Sequence, residues 1–177
     1  MLNRVKYPKE YLFVDGYNII NSWSILKDLS LDKLEEARDK LIGIMVEYQQ
    51  YSGINTIIVF DAHLVKGNSG TEEEHMGLKV IYTKENETAD HYIEKSLHEI
   101  GKVERVRVAT SDWMEQQIIL GRGGTRISAR ELEIEVFSQK KRIRRNRDTE
   151  NQKNSFMLGR LDEDTIKRLS DWKNKDE

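Results

Sequence analysis

The stretch YLFVDGYNII, residues 11–20, decides the fold, because in it a buried-strand pattern ends on a carboxylate. The apolar run leads directly into Asp15, and Gly16, Tyr17 and Asn18 then turn the chain. Burying a lone carboxylate is costly, so an acid at the tip of a core strand is a cap, half of an ion pair or a ligand. A single ending of this kind does not separate the three roles.

Two later segments end in the same way. TIIVFD leads into Asp61 and VRVATSD leads into Asp112. Such short apolar runs alternate with longer segments of helical period, which is typical of a parallel sheet covered on both faces by helices. The sequence therefore predicts an α/β fold with strands at 11–14, 55–60, 78–82 and 104–109.

Helices are predicted between these strands. Ser30 is expected to cap a helix that ends at Gly53, because Gly is favoured just after a helix. A second helix is expected over residues 88–100, where apolar residues repeat at helical spacing, and a third over residues 112–120.

The C-terminal part of the sequence predicts a helical extension. Ser128 and Glu131 form a capping-box pattern, which indicates a long helix that continues to about residue 146. The polar segment after it resembles a linker, and a last short helix is expected around Ile166, Leu169 and Trp172. We therefore expect one domain over residues 1–147, followed by a linker and short helix over residues 148–177.

Composition restricts the class of protein. The chain has 177 residues, no cysteine, and 29 Lys plus Arg against 31 Asp plus Glu. A disulfide framework and a thiolate metal site are excluded, and bulk charge does not indicate a polyanionic partner. No apolar run approaches a membrane span or a signal-peptide core, so we expect a cytoplasmic protein without a membrane partner.

The three strand-end acids are expected to meet. In a parallel α/β sheet the carboxyl ends of the strands share one edge, where such folds bind ligands. Asp15, Asp61 and Asp112 should gather there. Asp90 precedes Ile93 by three residues, so it continues the inward stripe of its helix and should face the same edge.

Taken singly, each acid fits a cap, a helix-dipole partner or a turn former. Together they would repel one another unless a cation neutralised them, and an all-oxygen site suits Mg²⁺ or Mn²⁺. A divalent metal activates water and stabilises charge on phosphate. The pattern predicts phosphodiester cleavage, with no organic cofactor.

Several ordered motifs resemble the YacP-like branch of the NYN-domain, PIN-like nucleases: FVDGYNII, IVFDAHLVKG, YTKENETADHYIEK, VATSDWMEQ and SARELEIEV. The resemblance covers roughly residues 11–140 and implies a PIN-like three-layer sandwich with a mainly parallel central sheet. It also implies a metal-dependent endoribonuclease that cleaves messenger RNA in association with the translating ribosome. The family's acidic positions fall on Asp15, Asp90 and Asp112, with Asp61 as a further member. Asn18 matches the asparagine of the opening motif, where it would orient a ligand or phosphate.

Basic residues indicate where RNA would bind. The segment KKRIRRNR, residues 140–147, carries six basic side chains and no acid, so it is either a solvated helix face or a phosphate-binding surface. Its members are Lys140, Lys141, Arg142, Arg144, Arg145 and Arg147. Loops offer a second set: Lys66, Lys84, Arg122 and Arg126. The alternative for the loop with Lys66 is solvent exposure without a partner, and the alternative for the loop with Arg122 and Arg126 is that its glycines only end a helix.

Two other functions compete with a nuclease. A ribosome- or RNA-binding module could keep the fold and the basic helix without cleaving, although the four acids argue against it. A phosphoacceptor signalling domain also places acids at strand ends, but it needs a lysine after a late strand, and VRVATSD offers none.

Overall fold

The six strands of the described residues form one sheet, in the order β3-β4-β2-β1-β5-β6. The structure, a computed structural model, describes residues 9–61, 70–100, 105–111 and 124–158. The strands are β1 (Glu10–Asp15), β2 (Asn55–Phe60), β3 (Thr71–His75), β4 (Leu78–Tyr82), β5 (Arg105–Ala109) and β6 (Thr125–Ile127). The helices are α1 (Gly16–Ser22), α2 (Ser24–Ser30), α3 (Leu34–Ser52), α4 (Ala89–Ile100) and α5 (Ala129–Leu158).

The sheet is parallel except at one edge. β1 lies between β2 and β5, and β4 and β6 extend the parallel set on either side. Only β3, which pairs with β4 through a tight hairpin, runs antiparallel. The carboxyl ends of β1, β2, β4, β5 and β6 therefore share one edge of the sheet, as the sequence predicted.

The two faces of the sheet bury separate cores. Leu12 and Val14 of β1 pack on one face with residues of α1, α2, α3 and the start of α5. Phe13 points to the other face, where Ile93 and Leu97 of α4 cover it. This alternation along β1 is the period-2 pattern of a strand that is buried on both sides. The predicted three-layer α/β architecture is confirmed.

Four strands lie within one residue of their predicted bounds at each end, and two were missed. β3 reads TEEEH, and its mostly exposed residues show no apolar alternation. β6 has only three residues. Neither carries the apolar run from which the other strands were predicted, because both lie at edges of the sheet.

The helix predicted between β1 and β2 is α3, and it begins later than predicted. α3 ends as expected at Gly53, which has a φ of 72° and donates its backbone N–H to the Gln49 carbonyl at 2.9 Å. Ser30 does not cap it, so that prediction was wrong. Ser30 is instead the last residue of α2, and its hydroxyl donates to the Lys27 carbonyl at 2.8 Å. The seven-residue helices α1 and α2 fill the space, and they are too short to show a helical period.

The capping box at the start of α5 is confirmed. The Ser128 backbone N–H donates to the Glu131 carboxylate at 2.8 Å, and the Glu131 N–H donates to the Ser128 hydroxyl at 3.2 Å. The helix runs on to Leu158, so the predicted linker after residue 147 is helical up to that point. The reason is that α5 contains neither glycine nor proline. The predicted helices at 112–120 and around Ile166 lie outside the described residues.

The chain divides into two compact units, residues 1–137 and 138–177. The sequence had placed a boundary at residue 147. Val136 of α5 is buried, and the ring of Phe137 contacts Trp23. None of the helices in the described part of the chain is long and apolar enough to cross a membrane.

Candidate active site

The carboxyl edge of the sheet carries three of the four predicted acids. Along β1, Tyr11 and Phe13 point to the α4 face, so Asp15 continues to that face by alternation. Val59 of β2 also points there, which directs Asp61 to the same side. Asp90 lies in the first turn of α4, the helix that covers this face. We call Asp15, Asp61 and Asp90 the acidic cluster.

Asp15 is both a helix cap and a buried acid. It is the N-cap of α1, and its Oδ1 accepts the Asn18 backbone N–H at 3.1 Å. Burial, together with the negative charges of Asp90 and Asp61, raises the pKa of Asp15 to about 6, against the backbone hydrogen bonds that lower it. Asp15 is therefore a helix cap, as one of the alternatives predicted, but it also lies within the electrostatic influence of two other carboxylates.

The acidic cluster is close enough for mutual repulsion but does not by itself form a metal cage. Within the residues that the structure describes, no three acidic or histidine side chains are placed to hold a metal ion. The fourth predicted acid, Asp112, lies outside the described residues, directly after Ser111 in the sequence.

The chemistry of the acidic cluster fits a hard divalent cation. Carboxylate oxygens are the ligands that Mg²⁺ and Mn²⁺ prefer. A carboxylate whose proton affinity is raised by burial and by like charges is stabilised when a cation replaces the proton. Asp15, Asp61 and Asp90, with Asp112, are the residues that would hold such an ion.

Asn18 joins two strand ends. Its side-chain oxygen accepts the backbone N–H of Ser111 at 3.0 Å, which ties the turn after β1 to the segment after β5. The sequence had assigned Asn18 to orienting a ligand or phosphate. In the structure its oxygen is used to hold the chain immediately before Asp112.

An aromatic row supports the same edge from the opposite face of the sheet. The rings of Tyr17 and Tyr82 flank Phe60, with centroid distances of 5.1 Å and 5.5 Å. A Cβ on Gly16 would lie 2.2 Å from the Phe60 ring, so only glycine fits the first position after Asp15. Phe60 directly precedes Asp61, and the row thus fixes the backbone on which two acids stand.

Arg38 was not among the residues singled out from the sequence. Its Nη1 donates a hydrogen bond to the Tyr17 hydroxyl at 3.1 Å. In sequence it follows Ala37 on an amphipathic helix and carries no motif, so only the three-dimensional arrangement places it at this edge.

The predicted RNA-binding residues are only partly described. Lys84 is exposed just after β4, at the same edge of the sheet. Arg126 is used structurally, because its Nε donates to the Thr110 carbonyl at 3.2 Å. In α5 the six basic side chains from Lys140 to Arg147 are all exposed. Lys66 and Arg122 lie outside the described residues.

A mostly parallel sheet with carboxylates at its carboxyl edge is the architecture of the PIN-like nuclease fold. Residues 12–174 match the model of the YacP-like NYN domain, and the chain belongs to this family.

Comparison with known proteins agrees with this assignment. The chain is 46% identical over 169 residues to the uncharacterized protein YacP of Bacillus subtilis, covering 94% of this chain and 98% of that protein. The crystal structure of Rae1 (YacP) from Bacillus subtilis matches with a TM-score of 0.70 and 46% identity, over 94% of this chain and 96% of that one. The crystal structure of a tryptophan-to-leucine mutant of Rae1 matches with a TM-score of 0.71 and 45% identity, over 81% and 84% of the two chains.

Proposed function

We propose that this protein is a metal-dependent endoribonuclease that cleaves messenger RNA in association with the translating ribosome in the cytoplasm. The observation that carries the proposal is the raised pKa of Asp15. Its pKa is raised to about 6 by burial and by the charges of Asp90 and Asp61, at the edge of the sheet where parallel α/β folds bind ligands. Perturbed carboxylates in such a position are typical of functional sites.

The roles follow from the chemistry of phosphodiester hydrolysis. Mg²⁺ or Mn²⁺, held by Asp15, Asp61, Asp90 and Asp112, would supply an activated water and would stabilise charge on the phosphate. The protein's own contribution is to hold Asp15 and Asp61 at the ends of β1 and β2 and Asp90 in the first turn of α4. Asn18 keeps the segment before Asp112 in place through its bond to Ser111.

The test is cleavage of RNA by the purified protein, with and without ribosomes, in Mg²⁺ or Mn²⁺ and then in EDTA. We expect cleavage that needs the metal and is lost in Asp15→Asn. Cleavage seen only with ribosomes supports the ribosomal part of the proposal, and cleavage of free RNA at the same rate contradicts it.

A non-catalytic RNA-binding module is the second candidate. It is favoured by the exposed basic run of α5. This candidate predicts RNA or ribosome binding that is unchanged by EDTA and by Asp15→Asn, with no cleavage under any condition.

A further inference from the structure

The pair formed by Tyr17 and Arg38 lies beside the acidic cluster and has no part in the function proposed above. Tyr17 follows Asp15 by two residues, and its ring packs against Phe60, which precedes Asp61. Burial raises the pKa of Tyr17, the hydrogen bond and charge of Arg38 lower it, and the charge of Asp61 raises it. The hydroxyl of Tyr17 therefore lies within the electrostatic reach of both Arg38 and Asp61.

Arg38 keeps most of its hydrogen-bonding capacity. A guanidinium has five N–H donors, and in the part of the chain that the structure describes one of them is used, on the neutral phenol. None of the carboxylates in the described parts of the chain forms an ion pair with Arg38. Its side chain is half-buried, which limits the conformations that it can adopt. The result is a positioned cation with open donors near a cluster of acids.

Arg38 and the acidic cluster lie toward opposite faces of the same sheet edge. Asp15 and Asp90 lie toward the α4 face, whereas Tyr17 and Phe60 belong to the core on the opposite face. Phe60, whose ring contacts Tyr17, directly precedes Asp61, so this acid and the Tyr17–Arg38 pair lie at the same end of β2. An RNA strand that crosses the carboxyl edge at the acidic cluster would pass next to the guanidinium.

We infer that Arg38, held in place by the Tyr17 hydroxyl, binds a phosphate of the RNA strand beside the one that meets the acidic cluster. This inference rests on the proposed function and names a substrate contact for the same site. Planar guanidinium groups are suited to phosphate because two N–H groups can bond two oxygens at once. A negative cluster also needs a nearby cation to hold a polyanion against repulsion.

A purely structural role for Arg38 makes a different prediction. Buried tyrosine hydroxyls usually find a partner, and Arg38 would then serve only to satisfy Tyr17. Removing it would lower thermal stability but would leave RNA affinity and its salt dependence unchanged. Binding measured in EDTA separates the two roles, because no metal and no cleavage contribute to it.

The experiment is a titration of a fluorescein-labelled oligouridylate in EDTA at several KCl concentrations between about 50 and 200 mM. The variants are Arg38→Met, Arg38→Lys and Tyr17→Phe. Arg105→Met is the matched control, because Arg105 is an exposed arginine at the start of β5, at the opposite edge of the sheet. Thermal unfolding of each variant shows whether it is folded.

We expect Arg38→Met to bind the oligouridylate roughly tenfold more weakly, because it loses one charge-assisted hydrogen bond. The log–log slope of its affinity against salt concentration should be smaller by about 0.7. Arg38→Lys should keep the slope but lose part of the affinity, Tyr17→Phe should show a smaller loss, and Arg105→Met should bind as the wild type does. An equal affinity and slope in Arg38→Met, or no binding by the wild-type protein, overturns the inference.

The proposed function can fail separately. If the wild-type protein binds the oligouridylate through Arg38 but cleaves no RNA in Mg²⁺ or Mn²⁺, the phosphate contact stands and the nuclease proposal falls. If the wild-type protein cleaves RNA and Arg38→Met binds as tightly as it does, the nuclease proposal stands and the contact is rejected.

Discussion

Asp15 combines two roles that conflict in the absence of a cation. Its carboxylate caps α1, which favours the charged form, but burial and two neighbouring acids raise its pKa to about 6. A carboxyl group whose pKa is higher in the folded than in the unfolded state destabilises the fold once it is ionised. This cost is absent below about pH 4, grows up to about pH 6 and is complete above it.

We therefore predict that Asp15→Asn stabilises the metal-free protein at neutral and alkaline pH. Asparagine caps a helix as well as aspartate does, so the cap is retained. The pKa difference between the ordinary 3.8 and about 6 corresponds to at most about 3 kcal/mol. Urea unfolding in EDTA should show this gain at about pH 8 and little gain at about pH 4. A gain that does not depend on pH would contradict the electrostatic account.

Asn18 offers a second test at the level of one residue. Asn18→Ala removes the acceptor of the Ser111 N–H, and we expect it to lower cleavage more than roughly tenfold while costing about 1 kcal/mol of stability. Ser22→Ala is the matched control, since it removes an exposed hydrogen bond from the same helix α1. Equal effects of the two variants on cleavage would show that Asn18 serves α1 alone.

Sequence patterns predicted candidate site residues, but they did not predict the contacts of those residues. Asp15 and Asp61 were singled out because each ends an apolar strand, and Asp90 because it continues a helical stripe. The bond from Ser111 to Asn18 and the bond from Arg38 to Tyr17 join segments far apart in sequence, and no local pattern encodes them.

At the level of elements, the turn from β1 into α1 depends on one glycine. We predict that Gly16→Ala destabilises the protein by about 1–3 kcal/mol, because its Cβ would lie 2.2 Å from the Phe60 ring and the turn or the ring must move. Gly43→Ala is the control, since nothing lies within 4 Å of that position in α3 and alanine should stabilise a helix there by about 0.5–1 kcal/mol. Urea unfolding of both variants measures the contrast, and a harmless Gly16→Ala would show that the packing adapts.

The start of α5 is anchored to the sheet by a polar network. Arg107 of β5 binds Glu135 through two hydrogen bonds, of 3.1 Å and 2.6 Å, and the Tyr48 hydroxyl of α3 donates to the same carboxylate. The hydrogen bonds from Arg107 lower the pKa of Glu135, although burial opposes them. A carboxylate with a lowered pKa stabilises the fold above its ordinary pKa, and this contribution is lost as the pH falls below it.

Glu135→Gln should therefore lower the free energy of unfolding by about 1.5–3 kcal/mol at neutral pH, with a smaller effect near about pH 4. Urea unfolding at the two pH values measures the difference. Glu133→Gln tests the same charge change two residues earlier in α5. A loss of equal size in both variants would mean that helix charge, and not the Arg107 network, is responsible.

Short elements and edge strands carry little sequence signal. The four strands with an apolar run and α4 were placed within one residue at each end, whereas β3, β6, α1 and α2 were missed, since their short lengths or exposed positions leave no period to detect. Ser30 was misassigned because capping residues also occur inside and at the ends of helices. Residues 148–158 show the converse, since polar composition indicated a linker where the absence of glycine and proline permits a helix.

For the whole molecule, charge distribution matters more than net charge. The 29 basic and 31 acidic side chains nearly cancel, yet Lys140, Lys141, Arg142, Arg144, Arg145 and Arg147 are exposed within one helical segment without an acid among them. Phosphate contacts supply most nonspecific affinity for nucleic acid, and they do not break bonds. Binding by this run and chemistry at the acidic cluster should therefore be separable.

The triple variant Arg142→Gln, Arg144→Gln and Arg145→Gln should weaken association with RNA or ribosomes and reduce its log–log salt slope by about 0.7–0.9 for each phosphate that the variant no longer neutralises. Turnover at saturating substrate should persist, because the carboxylates are intact. Glutamine at the exposed positions Lys27, Lys95 and Arg105 removes the same charge elsewhere, so it controls for net charge alone. If the two triple variants bind equally, the basic run is only a solvated helix face, and the RNA path must follow the carboxyl edge of the sheet through Arg38 and Lys84.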